Sequence, residues 1–387
     1  MGASCGRRRA SSAVGVVGVV IVGGGHGGFQ AAASLRAEGY EGSVTIYGEE
    51  PHLPYQRPPL SKGMLLGKQE ERHAILRPAE FYATQRIEVV TGRRVESLAA
   101  LPASDWVILA TGARNRLLPQ DGVLYLRTLG ETAEIRRRLT DAQKVAIIGG
   151  GFIGLEVAAA ARALGKSVTV YEAGPRLMGR VVAPVVSEYF RAQHEARGVR
   201  VVLNATGPIE GADLVVAGIG VVPNDELARE AGLAVGNGIA VDEFLRTSDP
   251  RIFAIGDCAE YPSTYASGRV RLESVQNAVD QAACVARAIC GRPAPYTAAP
   301  WFWSDQFDIH LQMAGIGTGY DHTVTRGVIE SNKFSVFYYR GGALKAVDSI
   351  NRAAEHLTAR KLIASRAVVT AEQAADEGFD LKSAIIP

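Results

Sequence analysis

Two copies of one glycine pattern, 126 residues apart, constrain what this chain can fold into. The first is the run Gly23–Gly28, which follows the apolar segment Val16–Val22. The second is the run Gly149–Gly154, which follows Val145–Ile148. Each copy reads as a strand, G-x-G-x-x-G and a helix. The glycines permit a tight turn, let the backbone approach a pyrophosphate and let the helix pack closely on the strand.

The repeat extends well beyond the glycines, which argues against two accidental turns that bind nothing. Both copies continue through an alanine-rich helix and a second strand that ends in tyrosine, at Tyr47 and at Tyr171. An acid follows each strand, Glu49 in the first copy and Glu172 in the second, where such an acid binds a ribose. The free N–H groups at each helix start suit a phosphate. We therefore predict two dinucleotide sites, as electron transfer between two bound cofactors requires.

A third segment is expected to close the first site. The apolar run Ile252–Ile255 leads into Gly256 and Asp257. Glycine lets the backbone come close to a ligand, and the aspartate can hydrogen-bond a polyol chain. The alternative role for Asp257 is a helix N-cap, and both roles can hold together. A strand ending in Ala110-Thr111-Gly112 faces the same crevice, because parallel strands end at one edge of the sheet.

The bulk composition excludes several other classes of protein. With 387 residues, 47% apolar and 21% charged, the chain has room for two or three globular domains. A net charge of +2 gives no strong field for nucleic acid or an anionic membrane. The triplet Arg136–Arg138 is predicted on a solvated helix face; a docking surface for an acidic partner is the alternative. The four cysteines contain no C-x-x-C, which indicates reduced thiols in a cytoplasmic protein.

The amino terminus imitates a secretory signal. Arg7–Arg9 precede the apolar run Val14–Val22, but that run is too short to span a bilayer and ends in the first glycine motif. Cleavage there would destroy a nucleotide site. We expect residues 1–12 to form a disordered basic tail, and we predict no transmembrane segment and no metal site.

Three further strings carry a family resemblance. They are PYQRPPLSK at residues 54–62, LESVQNAVDQ at residues 272–281 and PWFWSDQ at residues 300–306. With IFAIGD, these strings make the chain similar to the FAD-dependent ferredoxin reductases of oxygenase systems over residues 14–386. The resemblance implies an α/β, glutathione-reductase-like fold with two Rossmann-type domains. An α+β carboxyl-terminal domain agrees with the aromatic cluster and alternating strands that begin at Trp301.

The resemblance also implies domain bounds, cofactors and a partner. The tail at 1–12 precedes an FAD domain, 13–114 and 236–299, that is interrupted by an NAD domain at 115–235; the third domain is 300–387. The first glycine motif is assigned to FAD and the second to NADH. Members of the family take hydride from NADH onto FAD and pass single electrons to a [2Fe–2S] ferredoxin. A monomer and a dimer both remain open.

Individual residues take roles by the same resemblance. Lys62 corresponds to a lysine near flavin N5, where a cation stabilises negative charge, and Glu156 to an acid that approaches it. Trp303 is expected near the flavin. A solvated lysine, an ordinary helix glutamate and a core tryptophan are the alternatives. The other predicted cofactor-binding residues are Gly23, Gly25, Gly28, Glu49, Arg57, Ala110, Thr111, Gly112, Gly256, Asp257, Glu273, Val275 and Gln276 for FAD, and Gly149, Gly151, Phe152, Ile153, Gly154, Glu172 and Gly220 for NADH.

Cofactor choice is expected to depend on Glu172, because a carboxylate there bonds a ribose 2′-OH and repels a 2′-phosphate. Arg176 lies close enough in sequence to complicate that preference for NADH.

Competing activities on the same scaffold are rubredoxin reduction and NADH oxidation. A signalling or scaffold flavoprotein like apoptosis-inducing factor is the alternative from another class. Disulfide chemistry is disfavoured, because no cysteine lies between Gly6 and Gly256.

Two segments depart from the family pattern. Only Thr91–Asp105 connect the strand near Ile87 to the strand that precedes Thr111, and Asn204–Asp213 replace a longer hairpin in the second half. We expect a small antiparallel sheet to be reduced to a loop at each place. The cofactor motifs lie outside both segments, so binding should survive.

Overall fold

A computed structural model describes residues 18–207 and 209–385. The predicted tail at residues 1–12 lies outside the described residues. The strands are β1 Gly18–Val22, β2 Val44–Tyr47, β3 Ile87–Val90, β4 Ser104–Leu109, β5 Ala113–Asn115, β6 Val123–Tyr125, β7 Lys144–Ile148, β8 Ser167–Tyr171, β9 Val199–Val202, β10 Leu214–Ala217, β11 Val221–Pro223, β12 Val235–Gly236, β13 Gly238–Ala240, β14 Ile252–Ala254, β15 Ala259–Ser263, β16 Gly268–Val270, β17 Trp301–Gln306, β18 Ile309–Gly315, β19 His322–Val328, β20 Lys333–Arg340 and β21 Ala343–Ile350.

The helices alternate with these strands in the first two thirds of the described chain and follow them at its end. They are α1 His26–Ala37, α2 Ala79–Thr84, α3 Leu129–Asp141, α4 Phe152–Ala163, α5 Pro184–Ala196, α6 Glu226–Glu230, α7 Val275–Ile289, α8 Ala353–Ser365 and α9 Ala371–Ala375. None of the helices in the described ranges has both the length and the apolarity that crossing a bilayer requires.

Two parallel sheets share the order of four of their five strands, and only the edge strands β14 and β6 come from different places in the chain order. The first runs β14-β4-β1-β2-β3, and the second runs β6-β10-β7-β8-β9. In each sheet the central strand, β1 or β7, is largely buried and has a glycine turn at its carboxyl end, as the doubly wound fold requires. Strand β14 comes from late in the chain yet pairs with β4, Phe253 opposite Ile108. The first sheet is therefore built from two separate stretches of sequence.

The two glycine turns are equivalent in detail. Gly23 and Gly149 have positive φ angles, 123° and 101°, which side chains rarely tolerate. Gly25 and Gly151 are the N-caps of α1 and α4. Neither cap has a side chain, and the first helical N–H groups of α1 and α4 are thereby left open to a ligand.

The carboxyl-terminal part is an antiparallel sheet, β17-β18-β21-β20-β19, covered by α8. Its inner face supplies Phe334, Val336 and Tyr338 to a core that also contains Ile147 of the second parallel sheet. A short antiparallel pair, β5 with β11, joins the first and second halves of the chain. These contacts place three parts of the chain around one central space.

Both short connections are loops in the described residues. Between β3 and β4 the chain forms only a short 3-10 turn at Leu98–Ala100. Between β9 and β10 no strand occurs among the described residues. The predicted loss of a small sheet at each place agrees with this architecture, and both parallel sheets keep all five strands.

One buried histidine should make stability depend on pH. His356 on α8 is 1% exposed, and neither ring nitrogen has a hydrogen-bond partner in the described part of the protein. Burial, helped by Arg360, lowers the pKa of His356 from 6.5 to about 4. The unfolded chain therefore binds this proton at a higher pH than the folded protein, so the free energy of unfolding falls as pH drops from 6.5 towards 4.

We expect His356→Leu to remove one proton from this pH dependence, a slope of about 1.4 kcal/mol per pH unit. Urea unfolding at several pH values between neutral and mildly acidic measures the slope. The control is His322→Leu, which alters an exposed histidine on β19, a strand of the sheet that α8 covers. Equal slopes in wild type and His356→Leu would contradict this account of His356.

Candidate active site

One continuous crevice of about 1900 Å³ runs between the two parallel sheets and reaches the carboxyl-terminal sheet. Ligand pockets commonly measure about 300–1,000 Å³, so this crevice has room for two large ligands end to end. Most of the predicted cofactor residues line it. They are Gly23, Gly25, Glu49, Arg57, Lys62, Ala110, Thr111, Gly112, Gly149, Gly151, Phe152, Ile153, Glu156, Glu172, Gly220, Gly256, Asp257, Glu273, Val275 and Trp303.

The remaining two motif glycines have a packing role. A Cβ at Gly28 would lie 1.9 Å from the carbonyl oxygen of Gly23, and a Cβ at Gly154 would lie 2.1 Å from that of Gly149. Each helix therefore touches its own turn. At Gly25, by contrast, a Cβ would meet nothing within 4 Å, because it would point into the open crevice. This space above a helix N-terminus fits a bound pyrophosphate.

The second cradle holds an acid in a fixed position. The carboxylate of Glu172 accepts backbone N–H bonds from Gly150 and Gly174, each 2.7 Å long. Arg176 turns away from it and donates to the carbonyls of Val182 and Gly179, both at 2.6 Å. Arg176 therefore uses these donors to bond carbonyl oxygens of its own loop, and it is turned away from the carboxylate of Glu172.

The two copies differ at the corresponding acid. The N–H of Glu172 bonds the carbonyl of Val202, and in the first copy the N–H of Gly48 bonds that of Val90. The structural counterpart of Glu172 is thus Gly48, and Glu49 lies one residue farther along. Glu49 is paired with Arg94 at 2.8 Å, and its side chain is 62% exposed. The first cradle therefore has a more open acid than the second.

Arginine 127 is a crevice residue that the sequence reasoning missed. Its guanidinium pairs with Asp257 at 2.7 Å, and both side chains are about four-fifths buried. Its own carbonyl accepts a bond from Arg57, which also pairs with Glu50 at 2.9 Å. Two arginines thus lie at the first cradle. The signal available in the sequence was only a lone arginine between a strand and the cap Thr128 of α3.

Lys62 and Glu156, which the family resemblance places close together, form an ion pair in the structure. Lys62 Nζ lies 3.0 Å from Glu156 Oε1. Glu156 is 4% exposed and also accepts hydrogen bonds from the hydroxyls of Ser61 and Ser304. A buried carboxylate requires such partners. The pair joins the segment after the first cradle to α4, which begins at the second cradle.

Aromatic rings form a wall of the crevice that Lys62 also lines. Trp303 stacks on Trp301, with ring centroids 5.5 Å apart, and Phe302 packs on Phe152 at 4.8 Å. Gln276 stands behind this wall rather than on the crevice surface: it is 5% exposed, and its amide oxygen accepts the N–H of Trp301. Through that bond Gln276 can orient the wall.

An imidazole completes the first cradle. His26 occupies the variable position of the first glycine motif and lines the crevice. Burial, with Arg57 acting in the same direction, lowers the pKa of His26 from 6.5 to about 4. The ring is therefore neutral near pH 7 and adds no charge to the cradle.

Two glycine cradles, each at the start of a helix, open into one crevice, with the ion pair of Lys62 and the buried Glu156 between them; this arrangement defines an oxidoreductase with room for two nucleotides. Comparison with known proteins agrees. Residues 17–282 match the pyridine nucleotide–disulphide oxidoreductase family, and residues 301–385 match the reductase carboxyl-terminal family. The chain belongs to the pyridine nucleotide–disulphide oxidoreductases, in the branch that contains the ferredoxin reductases of oxygenase systems.

Individual relatives cover almost the whole chain. Rhodocoxin reductase of Rhodococcus erythropolis is 47% identical over 95% of this chain and 94% of its own. The crystal structure of the ferredoxin reductase for the CYP199A2 system of Rhodopseudomonas palustris has a TM-score of 0.91 and 44% identity, over 95% of this chain and 99% of that one. A covalent putidaredoxin reductase–putidaredoxin complex also gives 0.91, with 38% identity, over 95% and 98%.

Proposed function

We propose that this protein is an FAD-dependent NADH:ferredoxin oxidoreductase that supplies an oxygenase system. The observation that carries the proposal is the single crevice into which both glycine cradles open, with the Lys62–Glu156 pair between them. The two structural relatives described above are a reductase of a P450 system and a reductase joined to putidaredoxin. A [2Fe–2S] ferredoxin is accordingly the proposed acceptor, and the cytoplasm is the proposed location.

The residues that line the crevice have separate roles in binding the cofactors and in stabilising charge. When bound, the flavin accepts a hydride from NADH and gives up its electrons one at a time. The helix N-termini at Gly25 and Gly151 bind the two pyrophosphates, and Arg57 and Arg127 add positive charge at the first. Lys62 supplies a cation where reduction adds negative charge, and Glu156 holds that cation in place. The wall around Trp303 excludes water from the reacting centre.

The same assignment divides the chain into domains. We propose that residues 13–114 and 236–299 form the flavin domain, because strand β14 completes its sheet. Residues 115–235 carry the second cradle and would hold NADH. Residues 300–387 would form the third domain, which contributes Trp303 to the crevice. Gly220 and Ile153 line the nicotinamide side in this assignment.

Substitution of Glu172 tests the choice of NADH. We expect Glu172→Ala to lower the preference for NADH over NADPH about tenfold, because a charge-assisted hydrogen bond contributes roughly 1.5–3 kcal/mol. Steady-state kcat/KM with each nucleotide measures the ratio. Glu49→Ala is the matched control, since it removes the acid of the other cradle. An unchanged ratio in Glu172→Ala would show that another residue sets the preference.

The acceptor is tested by reduction of cytochrome c with NADH and single purified [2Fe–2S] proteins. We expect one ferredoxin to raise the rate at least tenfold over the protein alone, since relayed electrons need a carrier that fits the docking surface. A rubredoxin arm and an oxygen-consumption arm test the two alternative activities. Equal rates with and without every ferredoxin, together with a strong rubredoxin response, would contradict the proposed acceptor.

A further inference from the structure

A line of buried hydrogen bonds leads from Glu156 on α4 to His194 on α5. The hydroxyl of Ser304 donates to Glu156 Oε1 at 2.7 Å, and Gln306 Nε2 donates to Ser304 Oγ at 3.2 Å. Gln306 Oε1 lies 2.9 Å from His194 Nε2. Ser304, Gln306 and His194 are each 0% exposed. The line therefore joins β17 and α5 to α4 without access to water.

The hydrogen bonds along this line all donate in one direction, from His194 towards Glu156. Burial lowers the pKa of His194 from 6.5 to about 4, so its ring is neutral near pH 7 and carries one N–H. Nε2 faces the carbonyl oxygen of Gln306, so Nε2 carries that hydrogen. The amide NH₂ of Gln306 then faces Ser304, whose own hydrogen is left to point at Glu156.

The opposite arrangement would have a different result at Glu156. If His194 carried its hydrogen on Nδ1, Gln306 would turn its NH₂ towards Nε2 and its oxygen towards Ser304. Ser304 would then donate to Gln306 and leave Glu156 with one donor fewer. The buried Nδ1 has no partner in the described part of the protein, so nothing there favours a hydrogen on that atom.

We propose that Ser304, Gln306 and His194 are positioning residues that fix Glu156 as the acceptor for Lys62, an inference that rests on the proposed function. The hydrogen bond from the Ser304 hydroxyl disperses part of the negative charge of the Glu156 carboxylate. Glu156 then offsets less of the positive potential that the Lys62 ammonium group exerts on the crevice. Without that donor, Glu156 draws Lys62 more strongly and reduction of the flavin becomes less favourable.

The first test substitutes Ser304 in the FAD-loaded protein. In Ser304→Ala we expect the anaerobic rate of flavin reduction by NADH to fall about tenfold and the NADH KM to stay the same. The flavin midpoint potential should move about 30 mV lower, which corresponds to a tenfold change in a two-electron equilibrium. Ser335→Ala is the control, because Ser335 is equally buried in the same sheet but bonds Ser349 instead. A wild-type potential in Ser304→Ala would overturn the proposal.

The second test reads the histidine directly and does not need turnover. The NMR spectrum of ¹⁵N-histidine-labelled protein is recorded near pH 7, and the signals of His194 are assigned as those that are missing from His194→Asn. They should show that the ring hydrogen is on Nε2. Gln306→Leu should weaken that preference. Hydrogen on Nδ1, or a charged ring, would overturn the proposal. If NADH fails to reduce the wild-type flavin, the proposed function fails, and this spectrum still decides how the line of bonds is directed.

Discussion

Gly28→Ala is expected to yield a folded protein that binds FAD at least tenfold more weakly and purifies nearly colourless. The added methyl group would lie 1.9 Å from the carbonyl oxygen of Gly23, so α1 must move away from its own turn. Overpacking of this kind costs roughly 1–3 kcal/mol, and here the displacement falls on the atoms that face the pyrophosphate. Visible absorbance per protein, with circular dichroism to verify folding, measures the effect.

The matched control for this variant is the same substitution in the other copy. Gly154→Ala introduces a methyl group 2.1 Å from the carbonyl oxygen of Gly149, an equivalent contact in the second cradle. Its flavin content should equal that of wild type. A loss of flavin in both variants would mean that the damage is general and that the two cradles are not separate sites.

Gly154→Ala has a large predicted effect of its own. The protein should remain yellow and be bleached by dithionite, yet the apparent affinity for NADH should fall at least tenfold, because α4 shifts at the second cradle. The rate of flavin bleaching at increasing NADH concentrations, followed by addition of dithionite, separates the two effects. A wild-type dependence of that rate on NADH concentration would contradict the assignment of the second cradle to the pyridine nucleotide.

The duplicated βαβ unit could be predicted from sequence because its signals are local. Glycine spacing, an apolar run before it and an alanine-rich helix after it are all readable within 30 residues of one another, and the structure places Gly23 and Gly149 at equivalent turns with positive φ. The return of Ile252–Ala254 to the first sheet was also predicted, because it reads as a buried strand that ends in a crevice motif.

Other features depend on contacts between distant segments, which no local pattern encodes. The pair of Arg127 with Asp257 spans 130 residues, and the bond from Ser304 to Glu156 spans 148. Neither arginine nor serine is rare enough to attract notice at those positions. The offset of Glu49 against Glu172 is different, because it can be read in the sequence: Glu49 lies two residues after Tyr47, and Glu172 lies one residue after Tyr171. Strand pairing confirms that the counterpart of Glu172 is Gly48.

The placement of Gln276 shows the same difficulty at short range. Its motif suggested contact with the flavin edge, but the side chain lies on the inner side of α7 and bonds the backbone of Trp301. Helical periodicity alone does not distinguish the crevice-facing Val275 from its buried neighbour, because both sit in the first turn. Only the packing of α7 against the wall decides which of them faces the crevice.

We infer that one crevice holds a flavin and a pyridine nucleotide in contact. The visible spectrum of the FAD-reconstituted protein under anaerobic conditions, before and after addition of one equivalent of NADH, tests this inference. We predict that the flavin absorbance is lost almost completely within seconds. A spectrum that NADH leaves unchanged, in protein that dithionite does bleach, would contradict the account.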